Sequence, residues 1–337
     1  MNILLTGGAG YIGSHTAVVL SQAGHEVVLL DNFCNSSPSV PERLEKILGK
    51  ALPCIGADVR ETEVVEKVLR DHKIDAVIHF AGLKAVGESN EKPLEYYANN
   101  VQGTISLLQA MSAVNVKTLV FSSSATVYGD PQYLPIDENH PTNPTNPYGR
   151  TKLQIEEILR DFSNSNPEWR IICLRYFNPV GAHESGLIGE NPNGVPNNLM
   201  PYLAKVATGE LPHLNVYGND YPTDDGTGVR DYIHVMDLAD GHLAALQFLG
   251  HFFGVDHINL GTGKGTSVLE IIAAYQRQSG REIAFRIGGR RLGDVAISFA
   301  QPEKAKARLN WSAKRTVDEM CESTWKWKQF MAALKSN

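Results

Sequence analysis

A short apolar run, Ile3-Leu4-Leu5-Thr6, leads directly into Gly7-Gly8-Ala9-Gly10-Tyr11-Ile12-Gly13, and a helical pattern follows at once. Glycines at 7, 10 and 13 permit a tight turn, close approach of the backbone to a pyrophosphate, and close packing of helix on strand. A glycine triplet alone says little; its place between a strand and a helix is what restricts the fold. The second apolar run, Val27-Val28-Leu29-Leu30, ends at Asp31, 18 residues beyond Gly13. That is close to the offset at which an acid meets a ribose 2′-hydroxyl. A carboxylate there repels a 2′-phosphate, so the pattern favours NAD over NADP.

The same texture continues for half the chain. Ala76–Phe80, Thr118–Phe121 and Ile171–Leu174 are further short apolar runs. Near-continuous apolarity suits strands covered on both faces of a parallel sheet. Between them lie helical spacings, such as Val64, Val65, Val68 and Leu69, then Ile105, Leu107, Leu108 and Met111. Strand–helix alternation of this kind predicts an α/β fold with a doubly wound, Rossmann-type parallel sheet. After Asn178 the texture loosens: 181–201 and 211–228 read as loops, with a short strand near 214–217. Residues 231–249 read as a strand and helix returning to the first part, and 266–280 and 316–334 as helices. The expected organisation is an NAD-binding domain over 1–178, rejoined by a segment near 231–262, and a smaller mixed α/β substrate domain over 179–337.

Composition narrows the function classes. A net charge of -6 over 337 residues gives no footprint for nucleic acid or an anionic membrane. No apolar run reaches the length of a membrane span, and the first strand begins too early to leave room for a targeting peptide. Cys34, Cys54, Cys173 and Cys321 are scattered, without metal-ligand spacing. Reduced thiols in a cytoplasmic protein, with no metal, are the expectation.

Catalytic chemistry is suggested by Tyr148 and Lys152, four residues apart behind Asn146-Pro147, an N-cap followed by proline at the first helical position. On a helix, phenol and ammonium share one face. A lysine beside a tyrosine favours the phenolate, and lowering its pKa by roughly three units takes about 4 kcal/mol, shared among that cation, the helix dipole and a bound cofactor's charge. Such a tyrosine accepts protons at neutral pH. Alone, the pair also occurs by chance on exposed helices. Ser124, after the run Ser122-Ser123, offers a hydroxyl to a substrate oxygen or belongs to a loop. Asp58 fits an adenine contact or a turn cap. Lys84 fits a ligand contact at a strand's carboxyl end or an ordinary surface lysine.

With these residues in view, the chain resembles the extended short-chain dehydrogenase/reductase superfamily. Its long strings at 79–89, 122–129, 175–183, 196–201 and 225–235 resemble the UDP-galactose (UDP-glucose) 4-epimerase family, and the likeness runs from residue 2 to about 330. The resemblance implies that Tyr148 takes the proton from the sugar O4 while tightly bound NAD accepts hydride from C4. The 4-keto sugar then turns and is reduced on its other face. Lys152 lowers the tyrosine pKa and binds the nicotinamide ribose, and Ser124 bonds to O4 or relays its proton. By the same resemblance Tyr11, Ile12, Asp31, Asn32, Phe33, Cys34, Asn35, Ser36, Asp58, Val59, Phe80, Ala81, Gly82, Lys84, Asn99 and Phe177 correspond to NAD contacts. Asn178, Asn198, Leu199, Asn215, Val216, Tyr217, Arg230, Arg291 and Asp294 correspond to nucleotide-sugar contacts. Two arginines suit a diphosphate as fork-shaped donors, although each alone equally suits a surface ion pair. A homodimer through helices around 95–113 and 148–163 is also implied.

Two departures matter. Gln301 stands where the family usually has an aspartate. Ser298 stands where members restricted to glucose and galactose nucleotides often carry a tyrosine, which implies room for an acetamido group and hence for UDP-N-acetylhexosamines. A nucleotide-sugar 4,6-dehydratase shares the fold and the Tyr/Lys pair but needs an Asp-Glu pair after Ser124, where Ala125-Thr126 stand. A non-catalytic NAD-binding scaffold is the other alternative; against it, this chain keeps Ser124, Tyr148 and Lys152 together.

Overall fold

Alternate side chains of each central strand enter different cores, which is why nearly every strand position is apolar. Ile3 and Leu5, Val27 and Leu29, and Ile172 and Leu174 point into one core; Leu4, Val28, Leu30, Ile171 and Cys173 point into the other. The computed structural model describes residues 1–192, 196, 198–291 and 294–336. Asn197, within one of the resembling strings, and Leu292 and Gly293, between Arg291 and Asp294, lie outside the described residues.

The strands are β1 (Asn2–Thr6), β2 (Glu26–Asp31), β3 (Cys54–Gly56), β4 (Ala76–His79), β5 (Thr118–Ser124), β6 (Arg170–Tyr176), β7 (Asn178–Val180), β8 (Leu214–Tyr217), β9 (Val229–Arg230), β10 (Tyr232–His234), β11 (Gly254–Leu260), β12 (Thr266–Ser267), β13 (Phe285–Gly288) and β14 (Ile297–Ser298). The helices are α1 (Tyr11–Gln22), α2 (Val40–Leu48), α3 (Thr62–Asp71), α4 (Val86–Glu91), α5 (Pro93–Tyr96), α6 (Gln102–Ala113), α7 (Pro147–Ser165), α8 (Leu199–Ala207), α9 (Val235–Leu249), α10 (Val268–Ser279), α11 (Glu303–Leu309) and α12 (Val317–Ser336). A π-helical turn, Tyr97–Val101, joins α5 to α6.

Seven parallel strands form the main sheet in the order β11-β6-β5-β4-β1-β2-β3. The fold is therefore α/β with a doubly wound, Rossmann-type sheet. The winding direction reverses between β1 and β4, and in open α/β sheets that crevice is where ligands bind. One core is roofed by α1, α2 and α9, the other by α3, α6 and α7. A third core, built on Leu203, Leu214, Val216, Ile271, Tyr275 and Met320, holds the smaller part together. That part carries the short pairs β7–β10 and β8–β13 and the three-stranded β12-β9-β14.

Some local expectations shift. The fifth strand runs on to Ser124, so that serine ends the strand instead of following it. The expected loop over 181–201 stops at Asn198, because Leu199, Met200, Leu203 and Ala204 form the apolar face of α8 on the third core. The strand within the 231–262 return that joins the main sheet is β11, paired with β6, whereas β10 pairs with β7. No helix among the described residues is long and apolar enough to cross a membrane.

Candidate active site

The glycine loop is shaped by close approach. Gly7 has φ +68°, and a Cβ there would stand 2.7 Å from the Ala81 backbone nitrogen, so the loops after β1 and β4 touch at the switch point. A Cβ on Gly13 would stand 2.4 Å from the Gly7 carbonyl oxygen. Gly10 caps α1 without a side-chain hydrogen bond, and its first turn carries no acid. The first amides of a helix lack intrahelical partners, which suits an anionic pyrophosphate.

Asp31 ends β2 and is buried. Its carboxylate accepts from the Ala9 amide (2.9 Å), the Phe33 amide (2.9 Å) and the Ser36 hydroxyl (2.8 Å). It thereby locks the glycine loop to the 32–36 turn while still lining the cleft. Asp58 is held by Arg60 at 2.8 Å and by Asn32 at 3.0 Å, and the Arg60 hydrogen bonds keep its carboxyl well below the usual range. Lys84 pairs with Glu190 at 2.9 Å, and the same Glu190 oxygen accepts from Asn198 at 2.7 Å.

Asn146 caps α7 as expected, its side chain accepting from the Gly149 amide at 2.9 Å with Pro147 at the first helical position. Tyr148 and Lys152 face the same cleft as Ser124. The Ser124 oxygen accepts from both the Thr126 amide (3.2 Å) and the Thr126 hydroxyl (2.9 Å). Its own hydrogen is left to donate, and it pulls the Tyr148 pKa down. Lys152 is buried and donates to the Ser122 carbonyl at 2.7 Å, with its ammonium 4.9 Å from the Phe121 ring centre.

Without the charge of a cofactor, the protein's own groups do not lower the tyrosine pKa. Burial pushes the Tyr148 hydroxyl above its ordinary value, and the Ser124 hydroxyl offsets only part of that. The Lys152 ammonium lies 5.9 Å from the Tyr148 ring centre and is directed at Ser122. Burial also lowers the pKa of Lys152 to about 8, against a smaller opposing pull from Glu156. The protein groups alone thus leave the phenol protonated at neutral pH.

Farther along the cleft, Arg291 pairs with Asp294 at 2.9 Å and lies 5.4 Å from the Tyr217 ring centre. Arg230 sits on β9, directly opposite Ser298 on β14. The cleft holds about 1070 Å³ and takes in the glycine loop, Ser124, Tyr148, Lys152, Asn178, Asn198, Arg230, Arg291 and Ser298. Of the residues singled out in the sequence, Phe33, Leu199, Asn215 and Val216 do not line it. Val216 is drawn by strand alternation into the third core, and Leu199 packs on that same core. Phe33 adopts φ +57° and its ring lies over Gly56.

Several residues of the site escaped the sequence reading. Asn100, buried in the π-helical turn, bonds both the amide and the carbonyl of Leu83 (2.8 and 3.0 Å) and reaches Thr151 on α7 (3.1 Å). A buried asparagine inside a helix was the available signal. Glu156 accepts from Ser123 (2.6 Å) and from Arg175 (2.7 Å), bracing the serine strand against α7. Arg43, Trp327 and Met331 line the cleft from distant segments, and nothing local in the sequence pointed to them.

Comparison with known proteins fits this geometry. Residues 3–261 match the model of the NAD dependent epimerase/dehydratase family. A UDP-glucose 4-epimerase of Bacillus subtilis is 57% identical over 327 residues, covering 97% of this chain and 96% of the relative. The structure of a UDP-glucose 4-epimerase from Stenotrophomonas maltophila, with bound NAD and formylated UDP-arabinopyranose, superposes with a TM-score of 0.97 at 52% identity, covering 99% of each chain. That of a UDP-Glc/GlcNAc 4-epimerase from Campylobacter jejuni gives 0.85 at 36% identity, covering 98% of this chain and 99% of the other. The chain belongs to the NAD dependent epimerase/dehydratase family.

Proposed function

We propose that the protein is an NAD-dependent UDP-hexose 4-epimerase that interconverts UDP-glucose and UDP-galactose, and that Ser298 extends it to the N-acetylated pair. The observation that carries this reading is the convergence of Ser124, Tyr148 and Lys152 on one cleft whose other end carries Arg230 and Arg291. The glycine loop, the uncapped start of α1 and Asp31 fit a dinucleotide with a free ribose 2′-hydroxyl. When bound, NAD supplies the acceptor and donor of the C4 hydride and the positive charge of its oxidised ring. Tyr148 accepts the proton from the sugar O4, and the Ser124 hydroxyl, shared with Tyr148, bonds to that oxygen or relays its proton. Lys152 orients the nicotinamide ribose and adds positive charge beside the phenol. Arg230 and Arg291 take the diphosphate as charge-assisted donors, with Asp294 orienting Arg291. A dehydratase reading lacks its acid–base pair, since Ala125 and Thr126 form a 3-10 turn whose only side-chain hydroxyl is bonded to Ser124.

The substrate extension rests on the small Ser298 side chain beside Arg230, and the Campylobacter jejuni relative is named for both substrate types. In this reading residues 1–178, with the 231–262 return, hold NAD, and 179–337 hold the UDP-sugar. The reading also includes cytoplasmic residence and a homodimer through the 95–113 and 148–163 faces, beside which Leu94 is 81% exposed. The deciding experiment is a product assay with the four UDP-sugars on wild type and Tyr148→Phe. The variant is expected to bind NAD and lose epimerisation by at least about a thousandfold; undiminished turnover would remove Tyr148 as the base.

A further inference from the structure

The C-terminal helix closes one side of the cleft from a distance in sequence that no motif spans. It holds the 181–192 segment at three points. Ser323 accepts from the Ala182 amide at 3.1 Å, Lys326 donates to the Glu184 carbonyl at 2.5 Å, and the Trp327 indole donates to the Glu190 carbonyl at 3.0 Å. Trp327 is packed so tightly under Gly189 that a Cβ there would stand 2.5 Å from the indole. On the opposite rim, α2 presents Arg43. Its guanidinium carbon lies 5.3 Å from the Trp327 ring centre and 5.6 Å from that of Phe330, and one guanidinium nitrogen is 3.6 Å from the Met331 sulfur. Among the described residues no carboxylate pairs with Arg43, so its charge is directed at ring faces.

We propose that Arg43, Trp327 and Phe330 form a clasp between α2 and α12 that retains the dinucleotide, so that opening this clasp sets the rate of NAD release. The proposal rests on the reading that the cleft holds NAD. Arg43, Trp327 and Met331 line the same cleft as Cys34, Ser36 and Val40, whereas Phe330 does not line it. That difference separates a clasp from a direct contact. A guanidinium that merely touched the ligand would have no need of Phe330. A clasp depends on both the cation and the ring, since removing either takes away the Arg43–Phe330 contact between α2 and α12. Retention matters to an epimerase because its cofactor is regenerated in each cycle and has no catalytic reason to leave.

The test uses the full-length protein loaded with radiolabelled NAD and chased with excess unlabelled NAD, with retained label read after rapid gel filtration. Arg43→Ala and Phe330→Ala are each expected to speed release about tenfold, which corresponds to about 1.4 kcal/mol. The double variant is expected to release no faster than Arg43→Ala alone, because the Phe330 contact is already lost with the guanidinium. Phe330→Leu keeps an apolar side chain for folding while removing the ring face, and should behave as Phe330→Ala does. Release from both Phe330 variants within twofold of wild type overturns the clasp, whatever Arg43→Ala does. Loss of label from the wild type as fast as from the variants overturns the clasp, whereas failure to take up label before the chase overturns the cofactor reading on which it rests.

Discussion

Lys152 gives a prediction whose size follows from the site itself. It is 4% exposed, and burial lowers its pKa from 10.5 to about 8. At about 1.4 kcal/mol per pH unit between those values, holding the ammonium charged costs the native state about 3 kcal/mol at pH 7. Lys152→Met removes that cost but leaves the Ser122 carbonyl without its donor, a loss of about 1 kcal/mol. The net gain is about 2 kcal/mol, which for a chain of this length raises Tm by about 3 °C. The sign follows from linkage. The folded pKa lies below the unfolded one, so the penalty is fully present below about pH 8 and disappears as pH rises towards 10.5. Scanning calorimetry on protein freed of NAD, at pH 7 and at pH 10, measures both legs. The variant should melt higher at pH 7, with most of the gap gone at pH 10, while losing epimerase activity. A variant that melts at or below wild type at pH 7, or a gap indifferent to pH, would refute the argument that burial of this charge is a standing cost of function.

Other perturbations probe different layers of the molecule. Ser298→Tyr is expected to cut turnover of UDP-GalNAc at least tenfold while leaving UDP-Gal within about threefold, measured by separating the four products; equal losses on both would remove Ser298 as the discriminating position. Glu156→Gln leaves Arg175 buried without its counter-charge, where the pair lies at 2.7 Å and 0–5% exposure. It should cost about 3–5 kcal/mol and lower Tm by about 5 °C, read by thermal melts; a shift under 1 °C would show the pair to be dispensable.

Much of the dinucleotide half was legible because its signals are local. A glycine loop between a strand and a helix, an acid at the end of the next strand, and an N-cap with proline before Tyr148 each depend on neighbours within a few residues. Near-continuous apolarity over short runs between helical spacings carried the sheet in the same way. The substrate side was harder to read. Its strands β9, β12 and β14 are two residues long and exist through pairing across long stretches of chain, so no periodicity announces them. Val216 is an example: strand alternation puts its side chain in the third core, so only its backbone can face the ligand that the resemblance implies there.

The sequence by itself determined which groups this protein has for its chemistry and roughly where the cofactor crevice opens, because turn geometry, helix capping and strand patterning are set by adjacent residues. Tertiary structure alone decided the state of those groups. Burial raises the Tyr148 pKa, the Ser122 carbonyl holds Lys152, and the Thr126 hydroxyl donates to Ser124. It alone brought Arg43 against Trp327, 284 positions away in the chain. A pKa depends on desolvation and on charges a few ångströms away in space, and a wall of a cleft depends on which segments pack together. Neither quantity is a property of sequence neighbours.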